Sequence, residues 1–329
     1  MPARLSRLVI ASSASLLALS LQAQALTQVT VALPVNLCLA NWPFYVADAQ
    51  GMFAAEGLEV TMQGLDGSSS AIQATLAGQA QVAATAPADL LAASGAGADV
   101  TGFYNFYQYL PFRLVTTADS AIQSLADVRG KSVGISSAGG GEAIFARSLL
   151  TNAGIAEGDY EELMVGEGSS AGQALSGGVV DVFSASFVDE IIFGGMGLRV
   201  RPLDSEGYPA TTGELLMAET AWMQAHPEAV LGLGRGLARA TAAGLADRDL
   251  VVQTCGAVAP HETEDMGFTT AVLNGVDPLF TLTTGDEYGY IDPEAWAAYR
   301  ALIVQIGVAG PAAAGTEVFN ADVAAWNAD

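Results

Sequence analysis

The pattern that most restricts the fold comes early in the chain. An apolar stretch, Val29–Leu33, is typical of a short strand, and a turn with Asn41 and Trp42 follows it. The helical run Phe44–Gln50 comes next, and Leu58–Val60 begins another strand. Strand, loop, helix and strand within about thirty residues predict a βαβ unit, whose loops at the carboxyl ends of parallel strands face a crevice. We therefore expect Asn41 and Trp42 to face a cleft.

The same order of elements recurs along the chain. Further short apolar segments are each followed by a polar or glycine-containing loop and then a helical run, which predicts the α/β class with parallel sheets. Two extended segments, Phe112–Thr117 and Leu198–Leu203, are expected to be crossings between two halves of the molecule. The predicted strands are Val82–Thr85, Ser132–Ile135, Glu162–Val165 and Val179–Phe183, and residues 218–240 and 293–306 are predicted to be helical.

Small polar residues occupy the loops after the predicted strands. Asp66, Ser68 and Ser69 precede the helix predicted for residues 71–77, where they can cap the helix or hold a polar ligand atom. Thr85 and Ala86 end another strand, and small side chains there allow a ligand to approach the main chain.

A glycine loop follows the strand Ser132–Ile135. It contains Ser136, Ala138, Gly139, Gly140, Gly141 and Glu142. Unhindered amides at the start of a helix suit an anionic or strongly accepting group. The loop has neither the lysine of a Walker motif nor the spacing of a dinucleotide fingerprint, and a plain flexible turn is the alternative.

Aromatic and acidic residues supply two more candidate segments. Alternation in residues 102–112 predicts a strand with one face in the core, and Tyr107 is our choice of ring to stack on a ligand. The strand predicted to end at Phe183 is followed by a polar segment typical of a small-molecule pocket, although its acids can equally begin a helix. The candidates in it are Ser184, Ser186, Phe187 and Asp189.

Composition limits the class of protein. The chain has 329 residues, of which 51% are hydrophobic, enough for a buried core and, by length, for about two domains. Arg4 and Arg7 precede the apolar run Leu8–Leu21, which predicts an export signal over residues 1–25, cleaved after Ala25. The formal net charge of −23, more negative still without the two arginines of the signal, repels nucleic acid and anionic membranes.

The residues that could react or bind metal are few. Cys38 and Cys255 can form one disulfide in an oxidising compartment, yet widely separated thiols with apolar neighbours are also often simply buried. With His226 and His261 they show no metal-ligand spacing, and no serine–histidine–acid or cysteine–histidine set indicates a nucleophile. We therefore expect no metal site, no cofactor and no catalysis.

Several segments carry a family resemblance. They are Trp42–Ala47 with Gly51–Phe53, Glu56–Val60, Leu76–Gln79, Ser124–Gly134 and His226–Glu228. Together and in this order they resemble the periplasmic solute-binding proteins of ABC importers, in the group that covers aliphatic sulfonates, taurine, nitrate and thiamine-pyrimidine precursors.

The resemblance implies a two-lobed α/β fold of the type II periplasmic-binding-protein kind, with the two crossing strands as a hinge. Lobe 1 would comprise residues 26–112 and 204–329, and lobe 2 residues 113–203. A monomer in the periplasm would close on a small solute, because the solute contacts both lobes only in the closed form, and a permease in the inner membrane would recognise that form. The implied pocket comprises Asn41, Trp42, Asp66, Ser68, Ser69, Thr85, Ala86, Tyr107, the loop residues 136 and 138–142, Ser184, Ser186, Phe187 and Asp189.

This implied pocket contains acids and aromatic rings but no arginine. Such a pocket favours a nitrogen heterocycle of the thiamine-precursor kind, which it can bind through stacking and hydrogen bonds. An aliphatic sulfonate, taurine or an aromatic carboxylate is the alternative solute. The alternative of another class is a pyridoxal-dependent pyrimidine synthase. Such an enzyme needs a cofactor-bearing lysine, and Lys131, the only lysine of the chain, precedes its strand, at the end away from the expected cleft.

Overall fold

The computed structural model describes residues 25–205, 207–209, 211–282 and 287–328. The predicted signal, residues 1–25, lies outside the described residues except for Ala25. The strands are β1 Thr27–Leu33, β2 Leu58–Gly64, β3 Val82–Thr85, β4 Val100–Tyr107, β5 Phe112–Thr117, β6 Ser132–Ile135, β7 Glu161–Met164, β8 Val182–Ser186, β9 Val200–Pro202 and β10 Glu214–Glu219. The helices are α1 Trp42–Ala49, α2 Met52–Ala55, α3 Gly67–Leu76, α4 Pro87–Gly95, α5 Gly141–Asn152, α6 Ser169–Ser176, α7 Phe187–Gly195, α8 Thr220–Ala225, α9 Pro227–Ala246, α10 Arg248–Val258, α11 Met266–Val276, α12 Pro293–Gln305 and α13 Val323–Trp326.

Two five-stranded sheets organise the part of the chain that the structure describes. The first has the order β2-β1-β3-β10-β4 and the second the order β7-β6-β8-β5-β9. In each sheet three parallel strands are followed by one strand, β10 or β5, that runs antiparallel to both of its neighbours. Each of these antiparallel strands is the first that the chain forms after it crosses from one sheet to the other. The two halves are therefore built alike.

Apolar side chains cover both faces of each sheet, and these layers define two lobes. We call the first sheet with its helices the first lobe and the second sheet with its helices the second lobe. The largest core joins β1, β4 and helices α1 and α9. The predicted lobe boundaries, after residues 112 and 203, remain a proposal, and Phe112 itself begins the second-sheet strand β5.

The two lobes touch on either side of the space between them. Ile144 of α5 is buried within a core cluster of the first lobe. On the other side, Phe187 of α7 packs against α11, where a methyl group at Gly275 would lie 3.0 Å from its ring. The space between the lobes is therefore enclosed by contacts at two separate places.

Two predictions about strands were wrong, and one strand was not predicted. The aromatic strand β4 is buried on both faces rather than one, since helices and C-terminal segments cover its second face. Strand β8 begins at Val182 and ends at Ser186, three residues later at both ends than predicted, so Ser184 lies inside the sheet. Strand β10 was not predicted, because its continuous apolar run, Leu215–Ala218, cannot be told from a buried helix by periodicity.

A disulfide joins Cys38 to Cys255, which decides between the alternatives that the sequence left open. It links the segment before α1 to α10. The carboxylate of Glu262 also accepts hydrogen bonds from the backbone amides of Cys38 and Leu39, both at 2.9 Å. The loop after β1 is thus fixed covalently and by two charged hydrogen bonds.

Within the described ranges, every helix is too short or too polar to cross a membrane.

Candidate functional site

A cavity of about 610 Å³ lies between the lobes, within the size range of small-molecule sites. The carboxyl ends of the parallel strands supply much of its wall, as the βαβ pattern predicts. The loop after β1 contributes Val35 and Asn36, the loop after β6 contributes Ser136, and the first turn of α5 contributes Glu142. Because both lobes line the cavity, an occupant contacts both lobes at once.

Many of the residues that the sequence indicates do line this cavity. From the first lobe they are Asp66, Ser68, Ala86 and Tyr107, and from the second Ser136, Gly140, Gly141, Glu142, Ser186, Phe187 and Asp189. The glycine loop approaches the first lobe closely: a methyl group at Gly141 would lie 3.2 Å from the Ala86 side chain. This approach narrows the space between the lobes at that edge.

The other predicted residues do not line the cavity: some are buried behind its wall, and Ser69, Ala138 and Gly139 are exposed to solvent outside it. Thr85 and Ser184 are buried, with their hydroxyls donating to the carbonyls of Ala86 and Glu142. Ser69 contacts Asp89 and the Gly139 carbonyl instead of the cavity, and the Ala138 carbonyl accepts from Arg147. Asn41 donates from its side-chain amide to the carbonyls of Val35 and Leu37. It therefore supports the loop that lines the cavity without lining it.

Trp42 is the largest correction to the predicted pocket. Its side chain is 0% exposed, and its ring centroid lies 5.0 Å from that of Phe280. A methyl group at Gly244 would overlap the indole. Helix α1 begins at Trp42, two residues earlier than the sequence indicates, and this directs the ring into the core. Trp42 is thus a packing residue of the first lobe.

Two groups among the lining residues that sequence reasoning missed differ in whether a sequence signal could have found them. The segment Gly166, Glu167 and Gly168 follows β7, so the strand-end rule that found the other loops would have found it too. Phe112 and Glu214 could not be found by that rule, because they are the first residues of the antiparallel strands β5 and β10. In register, Phe112 pairs with Ser186 and Glu214 pairs with Tyr107, so both reach the cavity from an amino end.

Carboxyl groups dominate the charge of the site. The described residues that line the cavity include five acids and no lysine, arginine or histidine. Burial, and then the nearby charges of Asp189, Glu142 and Asp66, raise the pKa of Glu167. The acids are Asp66, Glu142, Glu167, Asp189 and Glu214. The cavity therefore disfavours anions and suits neutral or amine-bearing ligands.

Two of these acids are already occupied by their own lobe. Asp189 accepts from the amides of Gly168 at 2.7 Å and Ser186 at 2.8 Å, and from the Ser186 hydroxyl. Glu142 accepts from the Ser136 hydroxyl and the Ser137 amide. The main role of Asp189 and Glu142 is therefore to fix the loops that donate these hydrogen bonds. For Asp189 this agrees with the alternative that the sequence left open, in which the acid begins a helix. The Tyr107 hydroxyl is also used, since it donates to the Ala40 carbonyl at 2.8 Å. Tyr107 is 3% exposed and its ring packs against Phe106 and Phe280, so the ring that the sequence indicates for stacking belongs mainly to the core and offers no open face to a ligand.

With the geometry in place, comparison with known proteins identifies the family. The family described as NMT1/THI5 like matches residues 40–249. The chain belongs to this family. This confirms the group that the sequence resembles.

Individual relatives of this family member are distant. The riboflavin-binding protein RibY of Chloroflexus aurantiacus is 25% identical over 277 residues, which are 82% of this chain and 78% of that protein. The alkanesulfonate-binding protein SsuA of Xanthomonas axonopodis pv. citri has a TM-score of 0.64 at 17% identity, covering 87% of this chain and 95% of that one. The nitrate-binding protein NrtA of Synechocystis PCC 6803 has a TM-score of 0.58 at 11% identity, covering 86% and 82%. These structures confirm the periplasmic-binding-protein fold.

Proposed function

We propose that this protein is the periplasmic solute-binding component of an ABC importer and that its solute is a nitrogen heterocycle. The observation that carries the proposal is the cavity itself: both lobes line it, acids and aromatic rings form its polar and flat surfaces, and its described wall has no cationic side chain. A solute there gains contacts to both lobes only when they close, so binding shifts the population toward the closed form. The permease in the inner membrane would recognise that form.

The charge of the cavity favours a heterocycle over an anion. A sulfonate or nitrate would lie among several carboxyl groups without a cationic side chain in contact, which opposes its binding. Phe112 and Phe187 offer aromatic surfaces on which a flat ring can stack. The relative RibY is named for riboflavin, a nitrogen heterocycle, and this similarity supports the same solute class.

The disulfide bond and the N-terminal sequence both support export of this protein to the periplasm. The Cys38–Cys255 disulfide is of the kind that persists in oxidising compartments such as the bacterial periplasm. The N-terminal residues carry the pattern of a cleavable signal. A fractionation experiment with the full chain in a Gram-negative host would test this: we expect the shortened protein in the periplasmic fraction.

A thermal-shift panel tests the solute class. The ligands would be riboflavin, 4-amino-2-methylpyrimidine, taurine, nitrate and benzoate, each at several concentrations. A ligand at 100 times its dissociation constant adds about 2.7 kcal/mol to the free energy of unfolding. We expect the two heterocycles to stabilise the protein. Stabilisation by taurine, nitrate or benzoate alone would overturn the heterocycle proposal and favour the anionic alternative.

The enzymatic alternative has a direct test of its own. Lys131 lies just before β6, at the opposite end of that strand from the loop that lines the cavity, and so does not approach it. We expect purified protein mixed with pyridoxal phosphate to show no Schiff-base absorbance beyond that of a Lys131→Arg control. A lysine-dependent absorbance band would support catalysis instead.

A further inference from the structure

Glu214 occupies a distinctive place in the cavity wall. It is the first residue of β10 and pairs in register with Tyr107, the last residue of β4. Its side chain is 8% exposed, and that small exposed part faces the cavity. Because β10 is a central strand of the first sheet, with β3 on one side and β4 on the other, the position of Glu214 is fixed by two neighbouring strands.

Among the described residues, the carboxyl group of Glu214 has no partner that explains its burial. Its Oε1 atom is buried and without a hydrogen bond, and Glu214 forms no ion pair with the rest of the described chain. The phenol of Tyr107 beside it donates to Ala40 instead. A buried polar group left without a partner lowers stability. Folding alone therefore gives no reason for a carboxyl group here.

The protonation state of Glu214 differs from that of an ordinary surface acid. Burial raises the pKa of Glu214 to about 8, so at neutral pH the folded protein holds it mainly as a neutral carboxylic acid. A neutral carboxyl presents an O–H donor and a C=O acceptor side by side. This differs from Asp189, whose oxygens are already occupied by Gly168 and Ser186.

We propose that Glu214 is the specificity-determining residue of the cavity and pairs with a heterocycle edge that presents one hydrogen-bond donor beside one acceptor. This inference rests on the proposed heterocycle-binding function and deepens it. Two kinds of ring carry such an edge: an imide or lactam, with N–H beside C=O, and an aminopyrimidine, with an amino group beside a ring nitrogen. Both match a neutral carboxyl, and the rings of Phe112 and Phe187, which line the same cavity, can hold the flat faces.

The experiment compares three variants and three probes. Glu214→Gln keeps a donor and an acceptor, Glu214→Met keeps the volume but removes both, and Glu219→Met changes a glutamate on the same strand that does not line the cavity. Titration calorimetry measures affinity for riboflavin, 4-amino-2-methylpyrimidine and N3-methylriboflavin, in which a methyl group replaces the imide N–H. Thermal unfolding without ligand reports whether each variant folds.

We expect the wild-type protein and Glu219→Met to bind at least one of the first two probes. Glu214→Gln should stay within about threefold of wild type, since its amide offers the same pairing. Glu214→Met should bind about tenfold to a hundredfold more weakly, while its melting temperature without ligand stays equal or rises. If riboflavin is bound, wild type should reject N3-methylriboflavin and Glu214→Met should not discriminate.

The possible failures are distinguishable. Wild-type protein that binds neither heterocycle overturns the proposed function and this inference with it. Wild-type binding that Glu214→Met retains unchanged overturns this inference alone and leaves the proposed function standing. A Glu214→Met protein that melts well below wild type, with Glu214→Gln equally unstable, would show that the carboxyl serves the fold and would also overturn the inference.

Discussion

The hydroxyl oxygen of Ser69 lies 3.2 Å from the carbonyl oxygen of Gly139, so α3 of the first lobe is hydrogen-bonded to the glycine loop of the second. The same hydroxyl lies 3.0 Å from Asp89 Oδ1. A hydroxyl carries a single proton and donates to one acceptor at a time. When Asp89 is protonated it can donate to Ser69, and the Ser69 proton is then free for Gly139.

This relationship predicts a pH-dependent contribution of Ser69 to ligand binding. Burial raises the pKa of Asp89 to about 7, and the charge of Glu142 adds to the shift. Below pH 7 the contact between the lobes is therefore intact, and above it the Asp89 carboxylate competes for the Ser69 proton. Ser69→Ala should weaken solute binding by about 0.5–1.5 kcal/mol at pH 6 and by less at pH 8, as measured by calorimetry. Ser70→Ala is the matched control, and equal losses at both pH values would contradict the account.

Glu214 predicts a dependence of stability on pH that can be isolated by one substitution. The folded protein keeps the Glu214 proton up to about pH 8, whereas the unfolded chain releases it near the ordinary glutamate pKa of about 4.3. Between these values the folded state binds more protons, so the free energy of unfolding falls as pH rises, by at most about 1.4 kcal/mol per pH unit for this group.

Urea unfolding at pH 5, 6, 7 and 8 without ligand would measure this dependence. Glu214→Gln removes the titrating proton, so the stability of the variant relative to wild type should increase steadily from pH 5 to pH 8. The comparison at each pH cancels the general repulsion of this acidic chain. A constant difference between the two proteins would show that Glu214 titrates normally in the folded state.

The fold was predictable from the sequence because its repeating unit is local. Strands β3 and β6 have the predicted bounds, since short apolar runs with glycine or proline at their ends leave little choice. The rule that parallel strands present their carboxyl ends to a crevice then placed Asp66, Ser136 and other loop residues at the cavity wall.

The part of the site that could not be predicted depends on strand direction. Glu214 and Phe112 reach the cavity because β10 and β5 run against their neighbours, and direction is decided by pairing with residues far away in the chain. The prediction that Trp42 faces the cleft was wrong for a related reason. A tryptophan after a strand can face a cleft or the core, and only the position of Gly244 and Phe280, some 200 residues later, decides between them.

The Cys38–Cys255 disulfide should contribute strongly to stability. It closes a loop of 217 residues, and the removal of a native disulfide typically costs about 2–5 kcal/mol. We expect the free energy of unfolding of the double variant Cys38→Ala, Cys255→Ala, measured by urea unfolding, to be lower than that of wild type by that amount. Treatment with a reductant should lower the stability of wild type toward that of the variant and leave the variant unchanged. Identical unfolding of oxidised wild type and variant would mean that Glu262 and local packing hold the loop without the covalent bond.

Substitution of Trp42 tests whether this residue belongs to the core or to the ligand site. Its indole is fully buried against Phe280 and Gly244, so Trp42→Ala should lower the free energy of unfolding by about 3–5 kcal/mol. Trp222→Ala, at a half-buried ring on α8, is the matched control and should cost less. Solute affinity, measured by calorimetry at a temperature where Trp42→Ala is still folded, should change little, because no atom of Trp42 lines the cavity. A Trp42→Ala protein with near-normal stability and abolished binding would instead place this ring in the site, as the sequence alone indicates.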